Sequence, residues 1–405
     1  MALTYARGFR AGTAACGIKA FTAGASAIPS GQRDDLCVIH SAYPCDTGGV
    51  FTTNKVKSAS VVIDQLHLQR NRVQALTIAS GNANACTGAQ GFRDALLMAK
   101  LSADRLDLDP DQVLVSTTGV IGRYLPMDAI KSGIAEACGS LSPEAGEAAA
   151  RAIMTTDTVP KTARLDVDVA GLTIRVGGMC KGSGMIHPNM ATMLAYITTD
   201  AAVEPGLMST LAKSIADHSF NQVTVDGDSS TNDSFLILAN GAAGNAPIRA
   251  GTVEAEQLAA ALVQVARELS RAIARDGEGA TRLITVRVLD ALSDAEARTA
   301  ARAVASSSLV KTAVHGGDPN WGRVVCALGY SGAELALDRL LLTVGGLVVF
   351  ERGAGVDVDL AAVRRAFEQP EIEIVATLGL GEGSAEAWGC DLSEEYVRIN
   401  ADYTT

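Results

Sequence analysis

Helices laid against mixed β-sheets, an α/β architecture, are what this chain of 405 residues predicts. Three observations carry the prediction. Helical and strand-like patterns alternate throughout the second half. Apolar residues make up 48% of the chain and aromatics only 4%, so the core volume comes largely from Ala, Val, Leu and Ile. The longest apolar run, 340–350, is too short to span a bilayer and is broken by Gly345 and Gly346.

In chain order, 61–80 mixes apolar and polar residues and ends in GNANACTG (81–88), a run of small residues suited to a tight turn close to other backbone. A helix is expected over about 91–106. A short buried strand at 112–116 then runs into the glycine loop TTGVIG (117–122). Ser142, Pro143 and Glu144 are in order for a helix start, a hydroxyl cap followed by proline. Alternation over 165–176 around Ala170 and Gly171 predicts a hairpin, and 193–200 predicts a strand. Thr252 opens a long amphipathic helix with Leu258, Leu262, Val265, Leu269 and Ile273 on one face, ending near Asp276. A strand at 283–289, a capping box at Ser293 and Glu296 opening a helix to about Ser308, and strands at 340–344 and 372–377 complete the set.

Several function classes are excluded or disfavoured. With 34 Lys and Arg against 45 Asp and Glu, the net charge of −11 offers no basic stripe for nucleic acid. The eight cysteines (16, 37, 45, 86, 138, 180, 326 and 390) show no zinc-like spacing and read as buried thiols in a reducing compartment, so no metal is expected. Lys181-Gly182-Ser183-Gly184 fits neither phosphate-loop nor dinucleotide-loop spacing, and 379–383 reads as a turn. The run DGDSSTND (226–233) has Thr231 and Ile237 where a calcium loop needs glycine and glutamate. It reads as an Asx-rich turn, with shaping of a polar pocket as the alternative. His187, Cys180 and Cys86 have the bland readings of a solvated loop histidine and buried thiols, against catalytic ones.

Thr192 follows Ala191 where a polar loop runs into the predicted strand. A threonine hydroxyl needs a base, and one solution is its own α-amine, freed by cleavage of the chain before it. A β-branched residue opening a strand is the ordinary alternative.

The chain resembles the ornithine acetyltransferase family, the glutamate N-acetyltransferases of arginine biosynthesis. The matching runs are GFRAGTAACGIK (8–19), GNANACTG (81–88), STTGVIG and LPM (116–122, 125–127), IMTTDTVPK (153–161), KGSGMIHPNMATML (181–194), DGDSSTND (226–233), DPNWGR (318–323) and EEYVRINADYTT (394–405). The resemblance implies a layered α/β fold of a self-processing precursor. It also implies cleavage between Ala191 and Thr192 into an N-terminal chain, 1–191, and a C-terminal chain, 192–405, with two copies of each in the assembly. Thr192 would carry acetyl as an ester from N2-acetylornithine to glutamate, with Thr118 and Gly119 holding the oxyanion. Thr155, Lys181, Thr192, Glu278, Asn400 and Thr405 would bind substrate. No cofactor is implied, and use of acetyl-CoA as a second donor is left open. Because the match begins at Gly8, too few residues precede it for a typical organelle transit peptide, and the cytoplasm is the expected location. Read without the resemblance, Lys181 and Glu278 are solvated surface charges. A self-processing amidase or aminopeptidase and a non-catalytic binding protein are the rival readings.

Overall fold

A computed structural model describes residues 3–19, 34–70, 72–187 and 193–402. Its strands form two sheets. The first contains β1 (Phe9–Ala14), β2 (Leu36–Phe51), β3 (Val73–Asn82), β4 (Val113–Val120), β5 (Lys161–Val169), β6 (Leu172–Lys181), β7 (Leu194–Thr199) and β8 (Ser234–Ala239). Its order is β4-β3-β2-β8-β7-β6-β5, with β1 also paired to β2. The β3/β4 and β7/β8 pairs are parallel and the others antiparallel, so the sheet is mixed as expected. The second sheet has the order β12-β11-β10-β13-β9-β14. It is built from β9 (Leu283–Ala291), β10 (Leu341–Val344), β11 (Leu347–Glu351), β12 (Ala354–Gly355), β13 (Glu371–Thr377) and β14 (Gly383–Cys390).

Helices cover these sheets: α1 (Ala59–His67), α2 (Gly88–Leu106), α3 (Met127–Gly139), α4 (Gly146–Ala152), α5 (Leu207–Asp217) and α6 (Val253–Arg275) on the first. Around the second lie α7 (Asp294–Ser306), α8 (Ser308–Gly316), α9 (Trp321–Gly329) and α10 (Leu360–Phe367), and α11 (Glu394–Asp402) follows β14. Leu258, Leu262, Val265 and Leu269 of α6 are fully buried in one core with Ile197 and Ile237 of the first sheet. That is the apolar stripe read from the sequence, covering a sheet face. A separate core joins Ile284, Val286 and Val288 of β9 to Ala297, Ala301 and Val304 of α7. No helix among the described residues is long and apolar enough to cross a membrane.

The locally encoded features form as expected. The Thr252 side chain accepts a hydrogen bond from the Ala255 amide and caps α6, while Asp276 ends it. Ala170 (φ 51°) and Gly171 (φ 80°) make the two-residue turn of the β5–β6 hairpin, a conformation that matches the twist of the strands it joins. Three expectations need correction. Ser142 does not start a helix, because its backbone exchanges two hydrogen bonds with Ala11 of β1, and α4 begins only at Gly146. The helix expected from Ser293 to about Ser308 stops at Ser306, where the Ser307 side chain accepts from the Val310 amide and caps a new helix, α8. The cysteines are not uniformly buried: Cys37, Cys45, Cys180 and Cys390 are, Cys16 and Cys138 are half-buried, and Cys86 and Cys326 are exposed. Cys86 stands at φ 58° in the small-residue turn after β3.

Candidate active site

The glycine-bearing end of β4 is the floor of the site. Gly119 adopts φ +130°, and a Cβ there would lie 2.2 Å from the Gly81 carbonyl carbon, so only glycine lets β4 run this close to β3. The strand extends to Val120, placing Thr118 and Gly119 on it rather than in a loop after it. Asn232 Nδ2 donates to the carbonyls of Ala83 (2.6 Å) and Thr117 (2.8 Å), pinning the 226–233 turn to this strand end.

Lys181, the last residue of β6, is 3% exposed, and its Nζ donates to Thr118 Oγ1 at 3.4 Å. Burial pulls the Lys181 ammonium below its usual range, and the carboxyl groups of Asp157, Glu278 and Asp233 work against that loss. Glu278, 7% exposed, follows the end of α6, and its carboxylate accepts from Asn400 Nδ2 of α11 at 2.9 Å. A Cβ on Gly184 would lie 2.2 Å from that carboxylate, so the glycine makes room for it. Lys181 and Glu278 are thus buried site groups, which corrects the reading of them as solvated charges. The missing signal was tertiary, since their partners come from other segments.

These residues converge on one cleft of about 190 Å³, lined by Thr118, Gly119, Thr155, Lys181, Glu278 and Asn400. All the expected site residues within the described chain therefore meet in one place. Ala191, Thr192 and Thr405 lie outside the described residues. The Met193 amide donates to Asp233 Oδ1 at 2.9 Å, and Leu194 pairs with Lys181 across β6 and β7. Asp233 is fully buried and its carboxyl is raised well above the usual range by that burial.

The cleft also contains residues not singled out individually from the sequence: Asp226, Asn232 and Tyr396. Asp226 accepts from the amides of Met185 and Ile186 (2.8 Å for the latter) and of its neighbour Asp228. The turn therefore bonds its own backbone and also shapes the polar pocket, the two readings offered for it. Burial first, then Asp226 and Glu278, push the Tyr396 phenol above its usual range. Each of these residues falls inside a run quoted above, but nothing local separates it from its neighbours. His187 stands apart from these lining residues, with Nδ1 3.3 Å from Thr224 Oγ1, and burial lowers its pKa. Cys180 is buried and burial raises its thiol, which favours the inert reading.

A cleft with a buried cation beside a threonine and glycine at a strand end, and a buried acid opposite, suits an amino-acid substrate whose acyl carbon is attacked there. The ArgJ family model matches residues 10–405. The chain belongs to the ArgJ family. The arginine biosynthesis bifunctional protein ArgJ of Symbiobacterium thermophilum is 49% identical over 403 residues, covering 100% of this chain and 98% of its own length. Its counterpart in Synechocystis is 45% identical over 413 residues, covering 100% and 98%. A crystal structure of the ArgJ protein of Bacillus halodurans, 39% identical, matches with a TM-score of 0.51, covering 52% of this chain and 100% of that one.

Proposed function

We propose that this chain transfers acetyl from N2-acetylornithine to glutamate through an ester on Thr192. The enzyme class, an acyltransferase of arginine biosynthesis, follows from the family. The observation that supports the residue roles is the convergence of Thr118, Gly119, Thr155, Lys181, Glu278 and Asn400, from separate segments, on one cleft.

The proposed chemistry follows a definite order of events. In maturation, the Thr192 hydroxyl attacks the Ala191 carbonyl carbon, the C–N bond breaks, and the hydroxyl proton ends on the nitrogen. Water then hydrolyses the ester, leaving a carboxylate on Ala191 and a free amine on Thr192. In turnover that amine takes the hydroxyl proton as Thr192 attacks the acetyl carbon, and passes it to the departing ornithine nitrogen. The glutamate amine reverses the sequence by attacking the acetyl ester. An α-carboxylate on Lys181 places the N2-acetyl group only two bonds from the carbon that bears it. The hydrogen bond between Lys181 and Thr118 supports assigning the carbonyl oxygen to Thr118 and Gly119. Donors aimed at the developing oxyanion are worth about 3 kcal/mol each in such a site. Glu278 suits an ammonium.

The two-chain division at 191/192 fits a solved relative matched over its full length by about half of this chain. We further propose two copies of each chain in the assembly, which sedimentation of the mature protein tests. Acetyl-CoA is proposed as a second donor to the same hydroxyl, and N-acetylglutamate formed from acetyl-CoA and glutamate alone is the assay.

The deciding experiment compares wild type with Thr192→Ala. Wild type gives two bands on a denaturing gel with a new N-terminus at Thr192, and without glutamate releases no more than one equivalent of ornithine per active site, continuous release requiring glutamate. Thr192→Ala gives one full-length, folded, inactive chain. Two bands from the variant, or wild-type protein intact across 191 and 192 with full activity, sink the proposal. Continuous ornithine release without glutamate, beyond one equivalent per site, makes the enzyme a hydrolase.

A further inference from the structure

Beneath the cleft lies a buried charge network that the acetyl-transfer roles do not use. Asp157, 3% exposed, accepts hydrogen bonds from three directions: Lys161 Nζ (2.6 Å) and the Gly182 amide (2.8 Å) on Oδ1, and the Thr155 amide (3.0 Å) on Oδ2. Lys161, 2% exposed, also bonds Asp276 at 2.5 Å, and Ser183 Oγ donates to the Asp276 carbonyl at 2.7 Å. Glu278 in turn donates its amide to the Ser183 carbonyl at 2.8 Å. The 155–157 loop, the end of β6 and the end of α6 are joined by these bonds, and each contributes one wall of the cleft.

We propose that Asp157 is a positioning residue for substrate binding, fixing Thr155 and Lys181 relative to each other and holding Lys181 in its charged form. The inference rests on the acetyl-transfer reading above, in which Lys181 takes the substrate α-carboxylate. Burial alone would raise the Asp157 carboxyl; Lys161 and Lys181 hold it well below the usual carboxylate range, so it is an anion at working pH. Among the groups acting on Lys181, Asp157, Glu278 and Asp233 favour its charged form, while Lys161 opposes it. Lys19, brought down to about 8 by burial, is also coupled to both Asp157 and Lys181. Asp157 is the acid bonded to the residue next to Lys181. A buried group that served only to knit the loops would not set the pH at which substrate is released.

The test measures kcat and KM for acetylornithine and glutamate from pH 6 to 10 in wild type, Asp157→Asn and Asp157→Glu. Asp157→Asn keeps the acceptor for Lys161 and Gly182 but loses the charge and the bond from the Thr155 amide. Lys181 then loses its proton at lower pH, so the alkaline rise in KM moves down by about one pH unit, and on the alkaline side of that rise KM exceeds the wild-type value by up to about tenfold, more than kcat falls. Asp157→Glu retains the charge but displaces the bonds to Thr155 and Gly182. It raises KM at every pH and leaves the alkaline rise where wild type has it. An Asp157→Asn profile that coincides with wild type, or an equal loss in kcat at every pH with no change in KM, overturns the inference. Should Asp157→Asn fail to fold, an unchanged KM in Asp157→Glu overturns it as well. Ornithine binding measured by calorimetry over the same range reads the shift without turnover. Wild-type protein that moves no acetyl group overturns the activity reading and leaves this measurement standing.

Discussion

Replacing Gly119 with alanine tests packing and chemistry together. The added methyl meets backbone on three sides: the Gly81 carbonyl carbon at 2.2 Å, the Gly81 oxygen at 2.4 Å and the Asn82 nitrogen at 2.5 Å. None of these is the free end of a side chain, so β3 and β4 must part. Holding a non-glycine residue at φ +130° costs about 1–3 kcal/mol. Forcing a methyl into close-packed structure adds about 1–3 kcal/mol. The variant should therefore lose about 2–6 kcal/mol of stability, the same order as the net stability of many domains. The parting of the strands also shifts Thr118 and Gly119, the donors assigned to the oxyanion, and loss of one such donor lowers kcat by about 10²–10³. Gly122→Ala is the control, because its φ of +78° brings backbone strain while no atom lies within 4 Å of the new methyl. The assay pairs calorimetric Tm with kcat at saturating acetylornithine and glutamate. Gly119→Ala should fall in both, and Gly122→Ala in Tm alone. A Gly119→Ala enzyme with kcat within about threefold of wild type would remove Gly119 from the oxyanion site.

Asn400→Ala takes from Glu278 a donor at 2.9 Å, and an under-bonded buried carboxylate should raise the KM for acetylornithine by about tenfold, corresponding to about 1–2 kcal/mol. Lys181→Met, which keeps the length but not the charge, should raise KM for both substrates, and a selective effect on one of them would argue against a shared carboxylate contact. Asp64 of α1 is fully buried, with Oδ1 accepting from the Val115 amide at 2.7 Å, and burial raises its carboxyl well above the usual range. A raised folded-state pKa contributes stability that is present below the unfolded value and is lost as pH rises through the folded one. The Tm advantage of Asp64→Asn over wild type should accordingly grow from pH 5 to pH 8, and a gap that stays constant with pH refutes the assignment.

Capped helices and tight turns were legible in the residues themselves. Thr252, Ser293 and the Ala170–Gly171 turn act through atoms three residues away or fewer, so the pattern that predicts them also contains the groups that make them. Ser142 shows the limit: its cap-like sequence is intact, but a bridge to Ala11 takes its backbone and delays the helix. The site divides in the same way. The runs around Thr118, Thr155, Lys181 and Asn400 could be matched one by one, and the family they point to is the one the chain belongs to. That Lys181 and Glu278 are buried could not be read, because the Asp157 charge and the Asn400 amide that make burial affordable are remote in sequence.

What the residue order determined alone was therefore short-range: where helices start, where the chain reverses, and which segments carry reactive groups. Tertiary structure decided that β2 lies between β3 and β8, that the end of β4 abuts Gly81, and that separate segments close around one cleft. The reason is physical. A cap or turn is completed by neighbours along the chain, whereas the protonation state and direction of a buried charge depend on the summed field and hydrogen bonds of groups that only the folded chain brings together.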